Sequence, residues 1–493
     1  MKIKSYLFSA LFVLSSLVTL SQDGQWDTTF GNSGIVQTDL FGSSDIVFAL
    51  ALQNDGDILI SGSSEVAQSD WDPVLVRYRS DGSLDDTFGI NGIVVTDFST
   101  GYLDKYHKVL VQNDQKILAA GDFGGSAKDY MIARYLPNGD LDPTFGTSGI
   151  VITDLGDEDR IGTIVILNDD KILLAGASFV NGSNKLTLIR FLPDGSLDPS
   201  FGTNGVLISE PTVPNNKDIT IRLLDNDKIL IGLTFGGIYQ LRRYLPDGSL
   251  DLEFGSDGIV YTGNVSSGGG VFDLSPDGKI VVGTSFYSSD VAMAYLQRFL
   301  PNGSLDTSFG NNGEVFMSQM INLNRIIVQP NLKILVLGTE PLLPDSFILT
   351  IARYHASGSL DPSFGPGGDA TYTSLTGKDF MLQEDGKIIW AGYEPFFGED
   401  FFVGRYLNDP FTFGLEDNPI TKADLAPNPT QNLITLNFDH FQDSVPYQIT
   451  DLSGKLLKAG ELTGNQMILD LSSFQSGLYL LNVSGSSYRI VKE

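Results

Sequence analysis

Seven arginines at matched places have chemistry to offer: Arg77, Arg134, Arg190, Arg243, Arg298, Arg353 and Arg405, each followed by an aromatic residue. A ring of guanidinium groups would capture an anion. The chain also supplies an aspartate three residues before each of seven Phe-Gly pairs: Asp27, Asp85, Asp142, Asp198, Asp251, Asp306 and Asp361. An arginine fork pairs well with a carboxylate at a partly buried strand end, so a unit copied seven times copies its ion pair seven times. These fourteen residues are therefore expected to be scaffold.

The remaining chemistry is sparse. The acidic turns offer oxygens at alternate positions, as at Asn138, Asp140 and Asp142, but no copy carries a full calcium loop with its terminal bidentate glutamate. Structural turns are the expectation. His107, His355 and His440 stand apart, without a partner at metal-ligand spacing. With no zincin helix, phosphate loop or nucleophile elbow, no cofactor is expected. Glycosidase chemistry needs only two carboxylates on facing loops, which 60 acidic residues leave open.

The elements that position these residues follow from the period. Phe30, Phe88, Phe145, Phe201, Phe254, Phe309 and Phe364 are 53 to 58 residues apart, the spacing of a repeat array. In the second copy, 92–96, 109–111, 116–121 and 130–135 are strand-like runs parted by turn residues. Turns such as Pro137-Asn138-Gly139 and Pro193-Asp194-Gly195 preset φ with proline and reverse the chain with glycine. Four short strands per copy predict an all-β fold, a seven-bladed β-propeller of four-stranded blades, spanning residues 22–414. The segment Trp26 to Gly31 is expected to dock near Arg405 to Leu407 and latch the ring.

Connectors alternate between the two faces of such a ring. One face carries the repeated turns, and the other carries segments that differ in every copy, among them 63–72, 122–128, 178–185, 284–290 and 393–400. Recognition is usually placed in loops on a rigid scaffold. Trp71, Phe179, Phe286, Tyr287, Tyr393, Phe396 and Phe397 lie in or beside these loops, where aromatics stack on sugars, anchor a protein or cover the blade ends.

The formal net charge is -29 with no basic cluster, which argues against nucleic acid as a partner. Lys2, Lys4, the apolar stretch 7–20 and small Thr19 and Ser21 read as a signal peptide over residues 1–21. No later run is long enough to be a transmembrane segment. There is no cysteine, so disulfides and thiol chemistry are excluded. After a polar linker at 415–425, residues 426–493 contain six short strands, enough for a small immunoglobulin-like β-sandwich.

That last segment holds Ala426-Pro427-Asn428-Pro429, Asp451, Gly454-Lys455 and Gly477-Leu478-Tyr479, and it resembles the C-terminal sorting domain of type IX secretion substrates in Bacteroidetes. The resemblance implies export by the type IX secretion machinery and release outside the cell or attachment to the outer surface. It also implies that Asn428, Pro429, Asp451, Gly454, Lys455, Gly477 and Tyr479 serve as a sorting signal. The repeats, through Arg243 to Asp251 and through Gln383, Asp385, Gly386, Lys387 and Ile388, resemble the delta-60 repeat family of β-propellers, whose activity is undefined. Several copies depart from it, among them those with Gln115, Asp227 and Leu332 where the Asp-Gly turn is expected. Three readings remain at this point: a surface or secreted protein that binds a glycan or protein through its variable face, an extracellular polysaccharide hydrolase or lyase, and a structural surface component.

Overall fold

The computed structural model describes residues 23–409 and 423–492, apart from 68–69, 99–102, 125–126, 213–218, 225–226, 266–268, 288–291, 318–319, 321, 344–345, 374, 395–399, 439–444, 452–455, 463–465 and 484–485. The expected signal peptide and most of the expected linker lie outside these residues, as do Gly454, Lys455, Phe396 and Phe397. Two sets of antiparallel sheets are present, and no described residue is helical apart from a single 3₁₀ position.

The first set is seven sheets of four strands. In the first blade these are Asp45–Leu52, Ile58–Ala67, Asp70–Tyr78 and Ile93–Val95, from the inside outwards. The innermost strands of the other blades are Lys105–Val111, Asp159–Ile166, Thr220–Leu223, Gly270–Leu274, Asn322–Val328 and Thr376–Leu382. Each packs beside the next, and Thr376–Leu382 packs beside Asp45–Leu52, which closes the ring.

The grouping of strands differs from the sequence expectation by one. The run after each Phe-Gly does not begin its own blade. It turns back and becomes the outer edge of the preceding one, with Ile93 opposite Val76. The cause is the short turn after the phenylalanine: Gly89 has φ +55° and a Cβ there would stand 2.3 Å from the Ile93 carbonyl oxygen, so only glycine lets the chain reverse this tightly. Across the ring seam, Ile35–Thr38 pairs with Phe401–Tyr406 in the register Ile35 to Gly404. The Trp26 segment docks as expected, with the Asp27 amide donating to the Arg405 carbonyl at 2.9 Å and the Trp26 ring 4.4 Å from that of Tyr406.

Each blade junction has its own apolar cluster, and each cluster holds one of the seven phenylalanines, all fully buried. Above each ring lies the guanidinium of the matched arginine, 4.5 to 4.8 Å from the centroid. Its Nε donates to the matched aspartate at 2.7 to 2.8 Å in all seven copies. The same arginine reaches the next blade: Arg77 Nη1 donates to the Pro137 carbonyl at 2.6 Å and Arg243 Nη1 to the Pro301 carbonyl at 2.9 Å. One side chain thus covers a core plug, holds its own loop and ties adjacent blades, which accounts for all seven as scaffold.

The second set is a sandwich. Ala423–Ala426, Leu433–Phe438 and Gln466–Asp470 form one sheet, and Leu456–Leu462, Val445–Asp451, Gly477–Val483 and Ser486–Lys492 form the other. Ile434, Leu436, Ile449, Leu469, Leu481 and Ile490 fill the space between. The first strand begins at Ala423, inside the span expected as linker.

Candidate functional site

The inner strands run from the variable face to the turn face, so their first residues ring the channel mouth and their later ones line its depth. In five of the seven a bulge expels one residue: Phe48, His107, Gly162, Asn324 and Lys378. A bulge leaves its extra residue out of the ladder and re-aims its side chain. Here bulges recur on the strands that surround one opening.

At the junction of the first two blades the Phe48 and His107 rings lie 4.7 Å apart. The Lys105 ammonium lies 5.6 Å from the centroids of both Phe48 and Trp71. His107 Nε2 meets Asp122 Oδ2 at 3.0 Å, and Asp122 also accepts the Ile161 amide at 3.0 Å. Burial alone would raise the Asp122 carboxyl, but the bond and charge of His107 outweigh it and hold it below the usual carboxylate range. On the seventh blade, Lys378 lies 5.1 Å from the Tyr393 ring. The Asn324 amide donates to the Gly377 carbonyl.

Deeper, the channel encloses about 330 Å³ and is lined by Lys108, Arg222, Asn324, Arg325, Lys378 and Asp379 among apolar neighbours such as Leu50, Val109 and Ile221. Arg222 pairs with Asp273 at 2.7 Å and Arg325 with Asp379 at 2.6 Å. The Lys108 side chain has no ion pair or hydrogen bond among the described residues. Burial pulls it below the usual lysine range, and although Asp379 opposes this, Arg325 and Arg222 add to it. The Nε of Arg325 is buried without a hydrogen-bond partner. The channel therefore holds cationic groups in excess of its carboxylates, in a chain whose total charge is strongly negative.

The aromatic residues singled out in the sequence fall in three groups. Trp71 and Tyr393 are half-buried and stand beside lysines at the channel mouth. Phe179 and Phe286 are half-buried near the ends of Ile172–Val180 and Ile280–Tyr287. Tyr287 ends that second strand, and Phe396 and Phe397 lie outside the described residues. Phe48, Lys105, Lys108 and the His107–Asp122 pair were not singled out. Their signal was a single extra residue in an inner strand, visible only once the ladder is known.

In the sandwich, Asn428 Oδ1 accepts the Val491 amide at 2.8 Å, and the buried Tyr479 donates its hydroxyl to the Gln475 carbonyl at 2.7 Å. The backbone of Asp451 pairs with that of Tyr479, and Gly477 starts the strand at its exposed end. Asn428 and Pro429 lie exposed before the second strand of the first sheet.

This is a repeat β-propeller joined to a β-sandwich. Residues 424–493 match the secretion system C-terminal sorting domain. Residues 53–88, 112–145, 167–201 and 275–309 match a β-propeller family described as a domain of unknown function, DUF5122. The chain thus carries a sorting domain that directs it to the cell surface or extracellular space, and that domain implies the type IX secretion machinery as exporting partner. Among the described residues no helix is long and apolar enough to cross a membrane.

No curated protein matches the chain in sequence. Among solved structures, a catalytically inactive virginiamycin B lyase from Staphylococcus aureus is similar at 12% identity and a TM-score of 0.47, over 76% of this chain and 99% of that one. A fungal alcohol oxidase in complex with copper is similar at 15% identity and 0.44, over 94% and 99%. A polysaccharide lyase is similar at 10% identity and 0.44, over 73% and 90%. None of these likenesses transfers a ligand or a reaction to this chain.

Proposed function

We propose that this protein is an exported binding protein whose channel mouth, on the variable face, takes an acidic glycan. The observation that carries the reading is Lys108, a basic side chain inside the channel without an ion-pair partner among the described residues, lining it together with Arg222 and Arg325. A carboxylate or sulfate entering the channel would meet the basic groups of this lining. Sugar rings behind it would lie against Trp71, Phe48 and Tyr393, whose faces already hold lysine ammonium groups. Among the described residues the cavity lining includes one carboxylate, Asp379, and Arg325 engages it, so these residues do not supply the acid pair that glycosidase chemistry requires.

Calorimetric titration of the full chain with oligomers of a polyuronate, a sulfated glycan and a neutral glucan tests this. Binding of the acidic glycans alone, weakened at least tenfold in Lys108→Met, supports it. Equal binding of the neutral glucan, or an unchanged Lys108→Met, overturns it.

The His107–Asp122 pair favours a second reading, in which His107 acts as a base on a bound uronate. New unsaturated chain ends, formed by the parent and lost in His107→Ala, would select that reading over simple binding.

A further inference from the structure

On the variable face, away from the arginine network, carboxylates gather at the blade junctions. Asp129, at the head of Asp129–Tyr135, Asp154, just past Ile150–Thr153, and Asp159, at the head of Asp159–Ile166, place carboxylate oxygens within 4.8 Å of one another. The first two belong to the second blade and the third to the next one. Asp159 is fully buried. Its Oδ2 accepts the Leu155 amide at 2.7 Å, while its buried Oδ1 makes no hydrogen bond of normal geometry, with the Ser178 hydroxyl as its neighbour. Oxygens this close carry a net repulsion that nothing in the described surroundings answers with a basic side chain.

The arrangement is repeated. Asp400, Asp39 and Asp45 occupy the corresponding places at the junction of the seventh and first blades and also approach within 4.8 Å. Asp72, Asp97 and Asp104 occupy them at the next junction, where Asp72 Oδ1 is again buried without a partner. Each first member lies five residues before the blade's arginine, and each second member eight after the glycine of its Phe-Gly. In the remaining copies the first place holds Lys185, Ile238, Met293 and Ile348, so the carboxylates are confined to three consecutive junctions. Four of the seven junctions are built with another residue in that first place.

We propose that Asp129, Asp154 and Asp159 form a calcium site that staples the second blade to the third on the face opposite the arginine bonds. Calcium binds oxygen at about 2.3–2.6 Å, so oxygens on opposite sides of one ion stand about 5 Å apart, a span the cluster fits. Magnesium, which demands a strict octahedron and gives up its waters reluctantly, suits a partly buried cluster of three carboxylates less well. Three carboxylates also exceed the charge of the ion, which suits capture from an extracellular medium, where modules of this kind bind at about 10⁻⁴–10⁻³ M.

The test uses the purified full chain, stripped with chelator and titrated with calcium chloride by calorimetry and by thermal unfolding. The expected result is saturable binding near that range, a rise in unfolding temperature, and a weaker response to magnesium. Asp154 is exposed, so Asp154→Asn should fold as the parent does while losing one equivalent of calcium. An Asp154→Ala variant checks that the loss does not depend on the asparagine amide. Absence of binding at millimolar calcium, or an Asp154→Asn chain that binds the same number of ions with the same affinity, overturns the proposal.

Discussion

Arg405 Nε donates to Asp27 Oδ2 at 2.8 Å, joining residues 378 positions apart in a bond that every other blade makes between residues eight apart. Arg405 also donates to the Ser80 carbonyl at 2.6 Å, so the first and last copies are held as any two neighbours are. Removing one member of a buried pair leaves the other charge uncompensated, at a cost of about 3–5 kcal/mol. Asp27→Ala should lower the stability of the full chain by about that amount in urea unfolding. A loss under about 1 kcal/mol would show that the strand pairing of Ile35–Thr38 closes the ring without the ion pair.

The seven aspartates also set the acid limit of the fold. Burial pushes Asp198 up, but the Ser200 hydroxyl and amide together with Arg190 outweigh it and hold the carboxyl at about 2. Lys171 adds a contact at 3.4 Å. Asp142 and Asp361 are likewise held below the usual range by their own hydroxyl and basic partners, after burial has pushed the other way. A carboxyl depressed in the folded state stabilises it above the unfolded value near 4, and this contribution fades as pH falls through the folded value. The unfolding temperature should therefore fall steeply from about pH 4 towards pH 2. Asp198→Asn should flatten part of that slope, and a slope identical to the parent's would contradict the assignment.

Four turns into the second strand lack the glycine of the other copies, yet keep its geometry. Gln115, Asp170, Asp227 and Leu332 have φ of 67°, 60°, 58° and 66°, where Gly56, Gly278 and Gly386 have 88°, 80° and 87°. A left-handed conformation costs a residue with a Cβ about 1–2 kcal/mol, partly offset by the greater freedom glycine loses on folding. Leu332→Gly should stabilise the chain by about 0.5–1 kcal/mol in thermal unfolding. A destabilised variant would show that apolar contacts of the half-buried leucine outweigh the backbone term.

Those turns show what the sequence makes legible. The arginine and aspartate pairing, the phenylalanine plugs and the ring seam can be read because each is one residue type at one offset, copied seven times. The phase of the blades cannot, because a strand after Phe-Gly pairs equally well by pattern with what precedes or follows it. His107 reads in the sequence as standing alone, and its pairing with Asp122 escapes notice because a bulge between Tyr106 and Lys108 sets the histidine's direction, and a bulge has no fixed residue signature. Asp129, Asp154 and Asp159 come from three strands of two blades, and only comparison of offsets across copies brings them together.

The first blade departs from the others in one place and compensates in another. Elsewhere a lysine at the head of the second strand joins the arginine on its aspartate, as Lys228 does with Asp251 at 2.8 Å and Lys333 with Asp361 at 2.9 Å. The first blade has Asp57 there, whose carboxyl is raised by burial and then by Asp55 and Asp85, with Arg77 acting against them. The missing cation comes instead from the residue just past the third strand: Arg79 contacts Asp85 Oδ1 at 3.1 Å, at a place where most other copies have leucine. Asp57→Lys alone adds a cation to an aspartate that already has two, and Arg79→Leu alone leaves Asp57 and Asp85 with one arginine between them. Arg79→Leu should therefore lower the unfolding temperature in the parent and have little effect in Asp57→Lys, so that the double variant, which restores the arrangement of the other blades, matches or exceeds the parent. Additive changes in this double-mutant cycle would show that the two positions do not share one aspartate's charge.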